Sequence, residues 1–155
     1  MAVTSAGILL HRGVEPEVLI AHMGGPFWAR KDAGAWSLPK GEFDQAAEPA
    51  ADAARREFRE ELGVEPPEPL TELGTWAYAS GKRVTVFAAD GEGFATDGLV
   101  FGEFELEWPP RSGRMQSFPE ADRVAWVGLD AAREKLVRGQ VPALDALARH
   151  LAAGR

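Results

Sequence analysis

The run Glu48-Pro49-Ala50-Ala51-Asp52-Ala53-Ala54-Arg55-Arg56-Glu57-Phe58-Arg59-Glu60-Glu61-Leu62-Gly63-Val64 decides how the rest of the chain is read. Alanine, arginine and glutamate lose little side-chain freedom in a helix. Pro49 suits a first helical turn and Gly63 a helix stop, so the pattern predicts a helix over 48–62. Ala51, Ala54, Phe58 and Leu62 recur at helical spacing as a packing face, with Glu57, Glu60 and Glu61 on the face beside it. Glu57 lies three and four residues before Glu60 and Glu61, so the carboxylates converge. Such like-charge pairs cost about 0.2–0.5 kcal/mol each on an isolated helix, and a divalent cation, Mg²⁺ or Mn²⁺, would relieve them. The plainer alternative is a solvated acidic face paired with Arg55, Arg56 and Arg59. Against it, the five identities Arg56, Glu57, Glu60, Glu61 and Gly63 arise by chance at about one start position in 10⁶.

Working outward, Val3 to Leu10 and Glu17 to Ala21 are β-prone apolar runs joined by a hairpin-like Arg12-Gly13-Val14-Glu15-Pro16. A breaker-rich loop over 24–34 leads into a short extended piece ending at Pro39-Lys40-Gly41. Beyond the helix, 73–79, 83–89 and 102–108 read as strands. In the last of these, Phe104, Leu106 and Trp108 alternate with Glu103, Glu105 and Glu107, as on a half-exposed sheet. A loop over 109–119, a strand over 123–127 and helices over 130–137 and 143–151 complete the reading. Antiparallel strands flanked by helices make an α+β or α/β/α sandwich. No repeat or low-complexity linker interrupts it, so a single domain over 1–155 is expected.

Composition narrows the function. The chain has 155 residues, 45% hydrophobic and 26% charged, the balance of a globular domain rather than a disordered or membrane protein. No apolar run approaches the roughly 20 residues that span a bilayer, and no signal-like segment opens the chain, so a cytoplasmic location is expected. With no cysteine, any metal must be held by oxygen or imidazole. His11, His22 and His150 lack a metal-binding spacing. The net charge of −7 argues against non-specific nucleic-acid binding. It permits a small polyphosphate ligand bridged to carboxylates by cations. Without a Walker loop, a dinucleotide fingerprint or a G-x-S-x-G motif, water is the expected nucleophile.

The pattern Gly41, Glu48, Arg56, Glu57, Glu60, Glu61, Gly63, Val64 resembles the Nudix hydrolase box, G-x5-E-x7-R-E-U-x-E-E-x-G-U. From Glu48 onward the match is complete. Six residues instead of five separate Gly41 from Glu48, which implies one extra residue in the loop before the helix. The resemblance extends from about Ala6 to Leu151 and implies a Nudix-like α/β/α sandwich with a mixed sheet.

By that resemblance, Glu60 and Glu61 are metal ligands, Glu57 is a ligand or activates water, Arg56 orients the glutamates, and the Lys40 backbone carbonyl completes the site. A further carboxylate comes from the loop before the last strand. Phe118-Pro119-Glu120-Ala121-Asp122-Arg123 resembles that segment, so Glu120 is chosen over Glu103, Glu105 and Glu107, an ordinary exposed acid being the alternative. Lys40, Gly41, Arg111 and Arg114 are candidates for polyphosphate contacts, with solvent exposure the competing reading. Trp28, Trp36 and Trp108 can stack a base, though core burial explains a tryptophan more often.

The implied reaction is metal-dependent hydrolysis of a phosphoanhydride in a nucleoside-diphosphate-linked substrate, first a dinucleoside polyphosphate or nucleoside triphosphate. Hydrolysis of nucleotide sugars or capped RNA, and a noncatalytic nucleotide-sensing domain, are the alternatives. Apolar faces on the terminal helices can pack internally or form a homodimer interface.

Overall fold

Strand β1 (Thr4–Arg12) is the strand on which the others are assembled. Its alternation sends Ala6, Ile8 and Leu10 to one face of the sheet and Leu9 to the other, all buried. The computed structural model describes residues 3–154, so residues 1, 2 and 155 of the expected single-domain span lie outside the described residues.

The expected hairpin forms between β1 and β2 (Glu17–Met23), but only His11↔Val18 and Arg12↔Glu17 pair. Beyond that point the two strands part. Strand β3 (Trp36–Ser37) lies along β2 and β4 (Lys40–Glu42) along β1, both antiparallel. This insert turns the expected short extended piece into two strands and delivers Lys40 and Gly41 to the middle of the sheet.

Helix α1 (Ala50–Leu62) begins two residues later than the composition suggests. Pro49 is its N-cap, with an extended ψ of 149°, rather than part of its first turn. Its stop is as expected, with Gly63 in the left-handed region at φ 75° and its N–H bonded to the Arg59 carbonyl. Next come β5 (Thr71–Ala77) and β6 (Arg83–Asp90), an antiparallel pair, with β6 parallel to β1 from Thr4↔Arg83 to His11↔Asp90. The wholly antiparallel residue-level reading is therefore corrected at this pair. A parallel neighbour needs a crossover connection, and α1 lies within it. The mixed sheet implied by the family resemblance is what forms.

A second correction concerns 109–119, expected as a loop. Met115–Pro119 is strand β8, paired antiparallel with β7 (Glu103–Glu107) in a separate two-stranded ribbon. Met-Gln-Ser-Phe-Pro has no clean alternation and ends in proline, so it reads as irregular on its own. Its pairing is supplied by β7, with Phe118 opposite Phe104. The alternation predicted for β7 holds: Phe104 and Leu106 are half-buried while Glu103, Glu105 and Glu107 are exposed.

Strand β9 (Ala121–Gly128) then pairs with the outer side of β2. Helix α2 (Leu129–Lys135), a 3₁₀ turn (Arg138–Gln140) and α3 (Val141–Ala153) complete the chain. Ala53, Ala54, Phe58 and Leu62 of α1 pack with Ile8, Leu10, Leu19 and Phe87 on one face, while Leu136, Leu144 and Leu147 pack with Leu9, Val18, Ile20 and Val86 on the other. Each of the leucine, isoleucine, valine and phenylalanine side chains contributes about 1.5–3 kcal/mol on burial. The terminal helices thus use their apolar faces on their own core, and the layers are α/β/α. Among the described residues no helix is long and apolar enough to cross a membrane.

Candidate active site

Because α1 buries Phe58 and Leu62 against the sheet, it holds its glutamates at three depths. Glu61 is buried, Glu57 is half-buried, and Glu60 is exposed. Opposite them lies the β3–β4 insert, where the Lys40 N–H donates to Glu61 Oε2 at 3.1 Å. Gly41 faces Glu57 so closely that a Cβ there would sit 1.9 Å from Glu57 Oε2. Only a residue without a side chain lets this carboxylate rest over the β4 backbone.

The third wall is Glu120, held by backbone hydrogen bonds. Its N–H donates to the Gly102 carbonyl at 2.7 Å and its carbonyl accepts from the Gly24 N–H at 2.9 Å. Gly102 N–H in turn donates to the Glu61 carbonyl at 3.2 Å, and Val100 N–H to the Leu62 carbonyl, so the segment bearing Gly102 occupies carbonyls that the end of α1 leaves unpaired. Together Met23, Ser37, Lys40, Gly41, Glu42, Glu57, Glu60, Glu61 and Glu120 line an open cleft of about 480 Å³. Clefts of about 600 Å³ lie elsewhere, one by His11, Asp90 and His150 and one by Phe43 and Asp44. Chemistry rather than volume singles out the carboxylate cleft.

Arg56 is its principal counter-charge. The guanidinium donates to Glu48 at 2.6 and 3.3 Å, to Glu57 at 2.8 Å, and to Glu60 at 3.4 Å. Glu48, just before the helix, therefore anchors the arginine from one side while Arg56 steadies Glu57 and Glu60 from the other. These partners raise the Arg56 pKa and hold the Glu48 carboxyl below its ordinary value. Burial dominates for the cleft acids. It pushes Glu61 from 4.5 to about 8, opposed by the Lys40 N–H and reinforced by the charges of Glu120 and Glu57. Glu57 and Glu120 are raised as well, in each case mainly by desolvation.

Several hard oxygen donors of one sign, one of them buried and loath to ionise, fit a divalent cation. Among the described residues no three acidic or histidine side chains are yet arranged to hold one. Arg56 and the Lys40 N–H occupy the oxygens that a cation would claim. The loop before the helix carries one residue more than the box pattern. That residue is taken up in a turn where Ala46 N–H bonds to the Asp44 carboxylate and Ala47 and Glu48 N–H to the Asp44 carbonyl.

A NUDIX domain model matches residues 1–147. The chain belongs to the Nudix family. Its fold is similar to that of the C. elegans Ap4A hydrolase in a binary complex, with a TM-score of 0.63 and 23% identity over 98% of this chain and 99% of that one. It is likewise similar to MutT from Methanosarcina mazei Go1 (TM-score 0.62, 21% identity, 97% and 95% covered). The NUDIX domain of Shewanella oneidensis NrtR, complexed with ADP ribose, gives a TM-score of 0.64 at 16% identity, with 97% and 89% covered. No curated protein matches the chain. As a Nudix hydrolase the protein is a pyrophosphohydrolase, and its family works with a divalent metal ion.

In this Nudix domain Lys40, Gly41, Glu57, Glu60, Glu61 and Glu120 line one cleft, Arg56 bonds to Glu57 and Glu60, and Glu103, Glu105 and Glu107 stay on the ribbon. Arg111 and Arg114 do not line the cleft. They lie exposed at the turn between β7 and β8, and the five residues of β8 separate Arg114 from Glu120 by roughly 17 Å of strand. Trp36 is buried, its Nε1–H bonded to Asp32, while Trp28 packs against the core and Trp108 is half-buried at the end of the ribbon. His22 proves structural: fully buried, its Nδ1 lies 3.0 Å from the Asp122 carboxylate and its Nε2 2.6 Å from the Lys31 carbonyl. Sequence reasoning missed Ser37, Met23 and Glu42 as cleft residues and left Glu48 without a role, although the box pattern contains Glu48.

Proposed function

We propose that this protein hydrolyses a phosphoanhydride bond in a nucleoside-diphosphate-linked substrate, with a dinucleoside polyphosphate or nucleoside triphosphate as the first choice. The observation that carries the proposal is the convergence of Glu57, Glu60, Glu61 and Glu120 on one cleft with the Lys40–Gly41 backbone between them. Glu57, Glu60, Glu61, Glu120 and the Lys40 carbonyl would hold Mg²⁺ or Mn²⁺. Bound there, the ion supplies charge neutralisation of the phosphate oxygens and a lowered pKa for the attacking water.

The chain's own residues do the remaining work. Glu57 and Glu120 line the cleft from different walls, which suits either one to accept the proton of the attacking water. As the new P–O bond forms, the bridging P–O bond breaks and the leaving phosphate carries away the electron pair. Arg56, fixed by Glu48, keeps Glu57 and Glu60 aimed into the cleft. The Lys40 side chain and the Gly41 backbone border the cleft and meet the polyphosphate. Arg111 and Arg114 contribute only if the ribbon carries them toward the distal part of a long substrate. The lead-in Pro39-Lys40-Gly41 and the segment Pro119 to Arg123 support the dinucleoside-polyphosphate choice by their resemblance to such hydrolases. The cytoplasm, where nucleotides and Mg²⁺ are both abundant, fits this role.

Purified protein with Mg²⁺ or Mn²⁺ should be assayed on nucleoside triphosphates, dinucleoside polyphosphates, nucleotide sugars and capped RNA, alongside Glu60→Ala and Glu61→Ala. Metal-dependent products lost in both variants are expected. Nucleotide binding without turnover on any substrate would contradict hydrolysis and favour a sensor.

A further inference from the structure

Where β1 and β2 part, Leu38 and Pro39 link β3 to β4 outside either strand, and the backbone groups here are tied one at a time. The Pro39 carbonyl accepts from the Ile8 N–H at 3.1 Å, and the Lys40 N–H donates to Glu61 at 3.1 Å. Pro39 has no N–H, so Leu38 bears the remaining donor. Leu38 is fully buried, and a buried backbone N–H without an acceptor is costly. Its acceptor is Gln140 Oε1, at 3.0 Å and 102 residues away in the chain.

Gln140 is itself fully buried, at the last position of the 3₁₀ turn before α3. Its amide nitrogen donates to Ser37 Oγ at 2.9 Å and to the Tyr78 hydroxyl at 3.1 Å, and Ser37 Oγ donates to the Leu38 carbonyl at 2.7 Å. One turn earlier the Val137 N–H donates to the Trp36 carbonyl at 2.9 Å. The C-terminal layer thus grips the insert at two points, and the second grip is a side chain whose oxygen and nitrogen both bond to the insert. Two residues separate Leu38 from Lys40, whose N–H bonds to the buried Glu61 and whose carbonyl is assigned above to the metal.

We infer that Gln140 is a positioning residue for the cation site, holding Leu38 and Ser37 so that the Lys40 backbone stays in register with Glu61. The inference rests on the proposed role of the cleft. Gln140 touches no cleft acid and acts through the insert. Its loss should therefore loosen cation binding out of proportion to its effect on the fold. Tyr78 provides the comparison, because its hydroxyl bonds to the same amide but belongs to the segment after β5 rather than to the insert.

The test uses the full chain and reads Mn²⁺ affinity by electron paramagnetic resonance titration, with the metal-free melting temperature measured in parallel. Gln140→Met removes every hydrogen bond of the amide, and Gln140→Asn withdraws the acceptor from Leu38 while keeping a buried amide. Each should weaken Mn²⁺ binding by roughly 10-fold, the lower end of what supporting residues contribute at metal sites. Tyr78→Phe should stay within about 2-fold of the parent whatever its melting temperature. If Gln140→Met fails to fold, the Gln140→Asn affinity decides alone. Unchanged affinity in the folded Gln140 variants, or losses in both the Gln140 and Tyr78 variants that simply track their melting temperatures, would overturn the inference. A parent protein that binds no Mn²⁺, like its Glu61→Gln variant, would instead overturn the reading of the cleft on which the inference rests.

Discussion

The carboxylate cleft and the β7–β8 ribbon both carry a row of glutamates, and they differ in what stands behind those acids. In the cleft, Glu57, Glu60 and Glu61 project from a helix anchored by Phe58 and Leu62; Glu57 rests against a backbone only a glycine can supply, Glu57 and Glu60 share Arg56, and Glu61 accepts from the Lys40 N–H. On the ribbon, Glu103, Glu105 and Glu107 alternate on the exposed face of a two-stranded element. Ser117 donates to Glu103 and the Arg111 N–H to Glu107, both at the surface. Convergence separates the two sets, with Glu61 buried and Glu57 half-buried beside the exposed Glu60, since isolated solvated acids repel weakly and need no cation. Acidity alone therefore marks no site. Acids that the fold gathers around one backbone segment do.

That contrast is sharpened first by removing cleft ligands. Glu60→Ala and Glu61→Ala should each lower metal-dependent turnover by at least about 10²-fold, as when one group that stabilises developing charge is removed. Glu103→Ala or Glu105→Ala should leave it within about 2-fold, measured as initial rates at saturating Mg²⁺. Gly41→Ala comes next, because its methyl would occupy the Glu57 carboxylate position. A loss of about 10–100-fold is expected, with the fold retained by circular dichroism.

Glu48→Gln removes the ionic anchor of Arg56 and should cost about 10-fold in turnover, with a smaller change in melting temperature. Arg111→Ala and Arg114→Ala should have the smallest effect on cleavage of a nucleoside triphosphate, within about 2-fold. A KM increase confined to dinucleoside polyphosphates would place them on the distal part of the substrate.

Stability against pH distinguishes the regions in a second way. A carboxyl raised in the folded state favours folding while protonated and loses that contribution as pH rises through its folded pKa. Glu61, at about 8 against an ordinary 4.5, should therefore make the metal-free protein progressively less stable from about pH 5 to pH 8. Thermal melts of Glu61→Gln without metal should show that decline flattened, because the amide has no proton to lose.

How much of this was legible depended on whether the information was local. The helix, apart from a start at Ala50 rather than Glu48, its glycine stop and its three acids follow from spacing within one segment, and the Nudix pattern follows from the same residues. Glu120 could be chosen only by family resemblance, because its place is set by backbone bonds from Gly24 and Gly102, far off in sequence. Strand β8 was hidden for a similar reason, its pairing partner lying before an irregular turn. Gln140 and His22 bear no local mark at all. Each is a polar side chain whose partners lie on other segments, and only the fold brings those partners within reach.

The most direct test of the account is calorimetric titration of the metal-free protein with Mn²⁺ at pH 7 in two buffers of different ionisation enthalpy, which counts the protons released. With Glu61 holding a proton until a cation replaces it, about one proton should leave per ion bound, and Glu61→Gln should abolish both the release and most of the affinity. Binding with no proton release, at an affinity unchanged in Glu61→Gln, would contradict the claim that this buried glutamate belongs to the cation site.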